Sequence, residues 1–280
     1  MPAERRIWKR RLLRVSLLVL ALYGVILVIF KSLENSLVFQ PATAAQAWLA
    51  PPSERVEDVA MTTPTGVKIH GWWLPTDDPK PTGAVLVCHG NGGNLSHRGR
   101  MTADLAKATG LPVLIFDYPG YGKSGGTPSE QGCYDAGAAA VTWLLDRGVR
   151  TENVVILGES LGGGVATELA AKFPCRAVVL VKTFTSLPAA AKWHYPWLPT
   201  HWLMSNRFDS LARMSKLTCP VFVAHGTADT LVPCAHAEKQ FAAANEPKHF
   251  LRLEGQDHNA WLTADFHAAL AEFLRKTERQ

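Results

Sequence analysis

The most informative stretch of the sequence is VVILGESLGGG, Val154–Gly164. Four consecutive apolar residues, Val154–Leu157, predict a buried β-strand, and the residues from Leu161 onward favour a helix. Ser160 therefore lies in a sharp strand-to-helix turn, in which the glycines on either side let the two elements pack closely. A serine at such a turn is exposed at the edge of a sheet, so the sequence predicts a nucleophile at Ser160.

A second G-x-S-x-G pattern lies at Gly122–Gly126, but no helix is predicted directly after Ser124, so we expect a structural loop. The same loop carries the dinucleotide fingerprint G-x-G-x-x-G over Gly120–Gly125. The next helix is predicted only after Thr127, too late for its N-terminus to meet a pyrophosphate. A P-loop would need glycine at the position of Asp117, whose carboxylate would repel phosphate. The sequence therefore predicts no nucleotide partner.

Around the Ser160 turn, short apolar runs alternate with amphipathic stretches, a pattern typical of βαβ units and of a mainly parallel sheet. The predicted strands are Val59–Thr63, Val67–Trp73, Ala84–Cys88, Pro112–Asp117, Val154–Leu157, Ala177–Val181, Val221–Ala224 and Phe250–Leu253. The predicted helices are Ser96–Thr109, Pro128–Arg147, Leu161–Phe173, Ala235–Ala244 and Ala260–Lys276. Thr127–Glu130 fits a capping box with Pro128 as the first helical residue.

Two later strand ends supply an acid and a histidine. The strand Val221–Ala224 leads to Asp229, and the strand Phe250–Leu253 leads to His258. Active-site residues gather at the carboxyl ends of parallel strands, so we expect both side chains near Ser160. A serine hydroxyl becomes a good nucleophile when a histidine takes its proton and an acid orients that histidine. The sequence therefore predicts a Ser-Asp-His triad.

The remaining candidates for acid and ligand roles are weaker. Asp257 is a rival acid, but adjacent side chains rarely face one another, so we expect a solvated loop residue. Structural roles are the interpretation we favour for His89, His97 and His225. His194 and His201 have no carboxylate at metal-ligand spacing, so we predict no metal and expect no cofactor.

Acyl transfer also needs hydrogen-bond donors for the oxyanion that develops in the transition state. The backbone amide of Leu161, directly after the nucleophile, is the first candidate. The glycine-rich loop His89–Asn94 follows a buried strand, and its amide at Asn91 is the second.

The N-terminus carries a membrane signal. Val15–Phe30 is an apolar run without a charge, roughly 24 Å long as a helix, and six basic residues precede it within the first 14 positions. We favour a retained single-pass anchor over a cleaved signal peptide, with residues 1–40 as basic N-terminus and anchor and 41–280 as the folded domain. The positive-inside rule places the N-terminus in the cytoplasm and the domain outside, in a periplasm or lumen.

The charge balance gives no support for nucleic-acid binding. The chain has 29 basic and 24 acidic residues, but six of the basic and one of the acidic residues belong to the first 14 positions. The remaining 23 of each sign cancel, so the folded body has no net basic charge.

The segment Leu187–Met214 breaks the alternation of strands and helices and is rich in Trp, Pro and Tyr. We interpret it as a short helical insertion that forms a lid or an acyl pocket, or else as a small satellite core. The candidate pocket residues are Trp193, Tyr195, Trp197 and Trp202.

These motifs resemble the α/β-hydrolase superfamily over roughly residues 55–278. The likeness lies in HGNGGN (His89–Asn94), DYPGYGKSGG (Asp117–Gly126), GESLGGG (Gly158–Gly164), HGTADTLVP (His225–Pro233) and the pair Asp257-His258. More narrowly, HGNGGNLSHR, FDYPGYGKSGG and HYPWLP (His194–Pro199) resemble the membrane-anchored serine hydrolases that include lysophospholipid lipases and protein depalmitoylases.

The resemblance implies an α/β fold with a mainly parallel sheet of about eight strands and a lid, the triad of Ser160, Asp229 and His258, and ester or thioester substrates that are lipid-like or otherwise acyl. The sequence departs from that pattern before Phe184, where Val181–Thr183 replaces an expected acidic or small residue and a proline. Two alternatives remain: a peptidase or aminopeptidase on the same fold, and a non-catalytic, membrane-tethered binding module.

Overall fold

The computed structural model describes residues 2–78 and 81–277. The strands are β1 (Gln40–Pro41), β2 (Glu57–Thr62), β3 (Lys68–Leu74), β4 (Ala84–Cys88), β5 (Gly92–Gly93), β6 (Val113–Phe116), β7 (Val154–Glu159), β8 (Ala177–Val181), β9 (Val221–Gly226) and β10 (Lys248–Leu253). The α-helices are α1 (Pro2–Ser32), α2 (Glu34–Val38), α3 (Gly99–Thr109), α4 (Glu130–Asp146), α5 (Gly162–Lys172), α6 (Leu187–His194), α7 (Thr200–Leu203), α8 (Leu211–Met214), α9 (Ala235–Ala243) and α10 (Ala264–Lys276).

Eight of the strands form one sheet in the order β10-β9-β8-β7-β4-β6-β3-β2. Neighbours from β10 to β6 are parallel, while β3 pairs antiparallel with both β6 and β2. The predicted α/β architecture with a mainly parallel sheet of about eight strands is therefore confirmed. The strand β7 lies between β4 and β8, which places the turn after it at the centre of the sheet.

Helices cover both faces of the sheet. One apolar cluster packs α4 and α5 against it, and a second cluster packs α3 and α10 against the other face. Such double cover explains why β4, β6 and β8 are buried at every position and read as unbroken apolar runs. Val38 and Phe39 belong to the first cluster, so packing is continuous across the predicted domain boundary at residue 40.

Three helix starts differ from the sequence expectation. The last helix, predicted from Ala260, begins at Ala264 because Thr263 is its N-cap. The predicted helix from Ser96 is a 3-10 turn over Leu95–Arg98 that leads into α3. The helix α4 begins at Glu130, and its N-cap is Ser129, whose side chain accepts a hydrogen bond from the amide of Gly132. The capping box predicted from Thr127 is wrong because the extended backbone of Ser129 keeps Pro128 outside the helix.

The N-terminal helix α1 is longer than the predicted apolar run. Within it, Arg6–Ser32 contains an 18-residue window with a mean hydropathy of 2.6 that lies outside the packed core. At 1.5 Å per residue the 27 residues of this segment span about 40 Å, enough to cross a hydrocarbon layer of about 30 Å. By length and composition this helix could cross a membrane.

Candidate active site

Ser160 occupies a strained turn between β7 and α5. Its φ is +51°, in the left-handed region that non-glycine residues rarely adopt. Its amide donates to the carbonyl of Val181 at 2.9 Å, which ties the turn to the neighbouring strand β8. The side chain is thereby lifted from the end of the sheet toward the cavity beside it.

The glycines on either side of Ser160 are required by close backbone approach. A Cβ at Gly162 would lie 1.9 Å from the carbonyl oxygen of Cys88, and one at Gly158 would lie 2.5 Å from the carbonyl oxygen of Gly162. Both distances are far below a van der Waals contact, so the turn can close only with glycine at these positions.

The three predicted triad residues are joined by hydrogen bonds. The Nε2 of His258 lies 2.9 Å from the Oγ of Ser160, and its Nδ1 lies 2.7 Å from the Oδ2 of Asp229. Asp229 follows β9 and His258 follows β10, so three loops at the same edge of the sheet bring the groups together. Both distances lie in the normal range of hydrogen bonds.

Asp229 is held as a buried acceptor, with 6% of its surface exposed. Its Oδ1 accepts from the amides of Leu231 (3.0 Å) and Val232 (2.8 Å), and His225 Nε2 lies 3.3 Å from its Oδ2. Burial raises the pKa of Asp229, but hydrogen bonds from His225, His258 and Val232 outweigh it and hold the pKa well below the usual value. The carboxylate is therefore ionised at neutral pH and fixed in orientation.

Two residues that compete with this triad have local structural partners. The Oδ1 of Asp257 accepts from the amides of Asn259 (3.0 Å) and Ala260 (2.9 Å), which shapes the turn after His258. The Oγ of Ser124 accepts from the amide of His70 at 2.9 Å and so links its glycine-rich loop to β3.

The charged groups beside Ser160 are paired. Arg98 Nε lies 3.1 Å from Glu159 Oε2. Desolvation raises the pKa of Glu159, but Arg98 and the amide of Gly90 lower it below the ordinary value. Lys182 is buried with a φ of +51° and donates to the carbonyl of Ala260 at 2.6 Å. One residue of the Val181–Thr183 segment, which departs from the family pattern, is thus bound to the loop that carries His258.

A cavity of about 420 Å³ opens beside Ser160, within the usual size range of ligand pockets. Leu161 and Asn91, the predicted oxyanion donors, both line it. Within residues 2–78 and 81–277, neither of their amides donates to a protein acceptor, so both are available to a bound group. The Asn91 side chain is fixed by the amide of Gln40 (3.1 Å) and the hydroxyl of Tyr121 (2.9 Å), which both donate to its Oδ1.

The insertion forms the far wall of this cavity, mostly with apolar side chains: Leu187, Ala190, Ala191, Leu198, Leu203 and Met204. Of the four aromatic residues predicted for the pocket, Tyr195 lines it. The indoles of Trp193, Trp197 and Trp202 lie outside the cavity wall and are 63%, 51% and 87% exposed.

The described part of the chain contains no group of three or more His, Cys, Asp and Glu residues that could hold a metal ion.

Comparison with known proteins places these features in a family. A sequence model of the α/β-hydrolase fold matches residues 83–214, from β4 to the end of the insertion. The chain is 37% identical over 246 residues to an uncharacterized protein of Mycobacterium tuberculosis, with 88% of this chain and 87% of that protein aligned.

The chain belongs to the α/β-hydrolase family. It is also 31% identical over 182 residues to the alpha/beta hydrolase domain-containing protein 17B of Xenopus laevis. That alignment covers 65% of this chain and 62% of the Xenopus protein. An esterase from Pyrococcus furiosus has the same fold, with a TM-score of 0.69 at 22% identity, over 85% of this chain and 97% of that one.

The cavity of this α/β-hydrolase has a further wall that our sequence analysis missed. Phe30 at the end of α1 and Glu34, Leu37 and Val38 of α2 line the same cavity as Ser160. Sequence patterns place these residues in the predicted anchor segment. The contact between Glu34 and Ser205, which lie 171 positions apart, leaves no local pattern that would reveal it. The one local sign that this segment has a polar partner was Glu34, a carboxylate four residues after the apolar run Val15–Phe30.

Proposed function

We propose that this α/β-hydrolase is a serine hydrolase that cleaves carboxylic ester or thioester bonds of lipid-like acyl substrates. The observation that carries the proposal is the hydrogen-bonded series from Ser160 Oγ through His258 to the buried Asp229. A nucleophile, a base and an orienting acid in this order are the parts that acyl transfer through a serine requires.

In the proposed reaction, Ser160 Oγ attacks the substrate carbonyl carbon while His258 Nε2 takes the hydroxyl proton. The imidazolium then gives this proton to the leaving alcohol or thiol as its bond to the carbonyl carbon breaks. Water then attacks the carbonyl carbon of the acyl-enzyme while His258 Nε2 takes a proton from it. His258 returns this proton to Ser160 Oγ as the bond between Oγ and the acyl carbon breaks, which releases the carboxylic acid and the free serine. The Asp229 carboxylate accepts the hydrogen bond from the Nδ1–H group of His258 throughout and stabilises the imidazolium.

The amides of Leu161 and Asn91 would stabilise the oxyanion. Both residues line the cavity next to Ser160, and the amide of Leu161 follows the nucleophile directly. Donors held by the backbone need no reorganisation when charge develops, which is why they lower the barrier effectively.

The lining of the cavity favours an acyl substrate over a peptide with a free amine. An aminopeptidase needs a carboxylate that faces the amine, and Glu34 is the carboxylate in the cavity wall. Its oxygens already accept hydrogen bonds from Lys31, Ser205 and Asn206. The fold neighbour named as an esterase is consistent with ester cleavage.

We also propose that α1 is a retained single-pass anchor, with the N-terminus in the cytoplasm and the hydrolase domain outside. The basic residues before the apolar segment and the single Lys31 after it support this orientation.

Hydrolysis of p-nitrophenyl esters and matched acyl thioesters tests the proposed activity. We expect the wild type to turn over at least one of these classes and Ser160→Ala to lose that turnover. Ser124→Ala, which changes the serine of the second G-x-S-x-G motif, is the matched control and should keep it. Equal losses in the two variants, or a fully active Ser160→Ala, would refute the proposal.

A further inference from the structure

The end of the N-terminal helix is bound to the insertion through Glu34, whose side chain is 9% exposed. Its Oε1 accepts hydrogen bonds from the amides of Ser205 (2.8 Å) and Asn206 (2.7 Å), and its Oε2 pairs with Lys31 Nζ at 2.9 Å. Lys31 Nζ also donates to the carbonyl of Leu203 at 2.9 Å. We call these five residues the anchor–lid junction.

The junction depends on an ionised Glu34. Burial raises the pKa of Glu34, but hydrogen bonds from Asn206, Ser205 and Lys31 outweigh this effect and keep the pKa below its ordinary value. Hydrogen bonds to an ionised acceptor are roughly twice as strong as neutral ones. Loss of this carboxylate would leave the amides of Ser205 and Asn206 without their acceptor. Asn206 is buried, so its unpaired amide is costly and the junction is expected to open when Glu34 is removed.

The same end of α1 builds part of the cavity wall. The ring of Phe30 packs edge-to-face against Tyr195 and Trp197, with centroid distances of 6.0 and 5.8 Å. The hydroxyl of Tyr23, two turns earlier in α1, donates to the carbonyl of Trp197 at 2.9 Å. Phe30 and Tyr195 line the cavity together, so a ligand that extends from Ser160 would contact α1 directly.

These contacts fix the depth of the insertion relative to a membrane. Tyr23 and Phe30 belong to the apolar segment Arg6–Ser32, and Tyr23 lies roughly 13 Å before its end along the helix axis. An insertion that packs against this part of α1 must reach the bilayer if α1 spans it. Trp193 and Trp202, both exposed, supply the side chains that favour the interface between lipid and water.

We propose that α1 is a permanent part of the substrate site and that the cavity receives a fatty acyl chain directly from the bilayer that α1 spans. This inference rests on the proposed function of Ser160 as the acyl-transfer nucleophile. The acyl chain lies between the insertion and the end of α1, with its carbonyl at Ser160 and its methylene groups against Phe30 and Leu203. Cleavage of the chain after α1 would remove this wall of the cavity. The helix therefore serves both as membrane anchor and as binding surface.

The test uses the full-length protein in phosphatidylcholine vesicles. Three substrates are compared: a palmitoyl lipid ester in the vesicles, a peptide with a palmitoyl-cysteine thioester, and the water-soluble p-nitrophenyl butyrate. The variants are Phe30→Ala, which removes the wall, and Glu34→Ala, which opens the junction. The matched controls are Leu18→Ala, on α1 and 70% exposed, and Glu54→Ala, an exposed glutamate.

For Phe30→Ala and Glu34→Ala we expect the ratio of palmitoyl to butyryl kcat/KM to fall about tenfold. The first variant removes the ring that would contact the acyl chain, and the second releases the insertion from the segment that carries this ring. For Leu18→Ala and Glu54→Ala the ratio should stay within about twofold of the wild type. The faster of the two palmitoyl substrates identifies the source of the chain, a lipid ester or an acylated protein.

Two results would overturn the inference while the proposed function stands: a wild type that cleaves butyrate but neither palmitoyl substrate, or an unchanged ratio in Phe30→Ala. A wild type that is inert toward all three substrates would overturn the proposed function as well. If Glu34→Ala does not fold, Phe30→Ala decides the question without it.

Discussion

Asp229 binds His258 through one carboxylate oxygen and two backbone amides through the other. Its Oδ2 accepts from His258 at 2.7 Å, while its Oδ1 holds the amides of Leu231 and Val232. The second set of bonds fixes the carboxylate so that the first can orient the imidazole. At the residue scale, the proposed chemistry therefore depends on this side chain as much as on the nucleophile.

We predict that Asp229→Asn lowers kcat on a short-chain ester by about 10⁴-fold, since an amide favours the wrong tautomer of His258. The steady-state rate of ester hydrolysis measures this loss. Asp257→Asn, in the adjacent turn, is the matched control and should have little effect, since its side chain bonds the turn amides. Comparable losses in both variants would mean that Asp229 has no special role.

Gly162 shows how closely the elements around Ser160 approach. We predict that Gly162→Ala destabilises the protein by about 1–3 kcal/mol, because the added methyl group would overlap the carbonyl of Cys88. Thermal unfolding of the detergent-solubilised chain measures the change. At Gly92 the added methyl group meets nothing within 4 Å, so Gly92→Ala should cost less than about 0.5 kcal/mol. A Gly162→Ala protein as stable as the Gly92→Ala protein would contradict the observed packing.

At the scale of elements, the start of α4 gives a direct contrast between two candidate caps. Ser129 accepts from the amide of Gly132, whereas Thr127 lies before Pro128 and outside the helix. We predict that Ser129→Ala lowers the unfolding free energy by about 1 kcal/mol and that Thr127→Ala changes it less. Thermal or urea unfolding of both variants decides between them. A larger loss for Thr127→Ala would favour the capping box that the sequence pattern suggested.

The strands, and the proximity of Ser160, Asp229 and His258, could be predicted because each depends on local patterns. Unbroken apolar runs marked β4 and β6, and the ends of β9 and β10 placed Asp229 and His258 at the edge where Ser160 stands. The start of α4 could not be fixed, since Thr127 and Ser129 have equal capping chemistry and only the backbone conformation separates them.

The sequence located the insertion Leu187–Met214, but it did not show which of its side chains line the cavity. Its apolar and aromatic composition does not tell which side chains face the cavity, and Tyr195 lines it while Trp202 is exposed. Which side of the insertion faces the cavity depends on the hydrogen bonds made by the backbone from Ser205 to Phe208. Glu34 binds the amides of Ser205 and Asn206, and Glu130 binds those of Arg207 and Phe208. Such pairings across the chain leave no periodic signal in the sequence.

At the scale of the whole molecule, the proposed membrane orientation of α1 places the hydrolase domain outside the cytoplasm. We predict that alkaline phosphatase fused after Gln280 is active in a bacterial host, whereas a green fluorescent protein fused there stays dark when exported through the general secretory pathway. The physical reason is the excess of basic residues before the apolar segment. The reverse pattern would place the hydrolase domain in the cytoplasm.

The relation between α1 and the cavity also belongs to this scale. A separate anchor would leave the hydrolase site complete without it, but Phe30 and Glu34 form part of the wall around Ser160. Packing that continues through Val38 and Phe39 into the core makes the segment that follows α1 part of the folded domain.

The most direct test of the central claim, an activated Ser160, is covalent labelling with a fluorophosphonate probe followed by peptide mass mapping. We predict one phosphonylated residue, Ser160, in the wild type and in Ser124→Ala, and no labelling of Ser160→Ala. A folded wild type that stays unlabelled, or a label that persists in Ser160→Ala, would contradict the claim and favour a binding module that has kept the hydrolase fold.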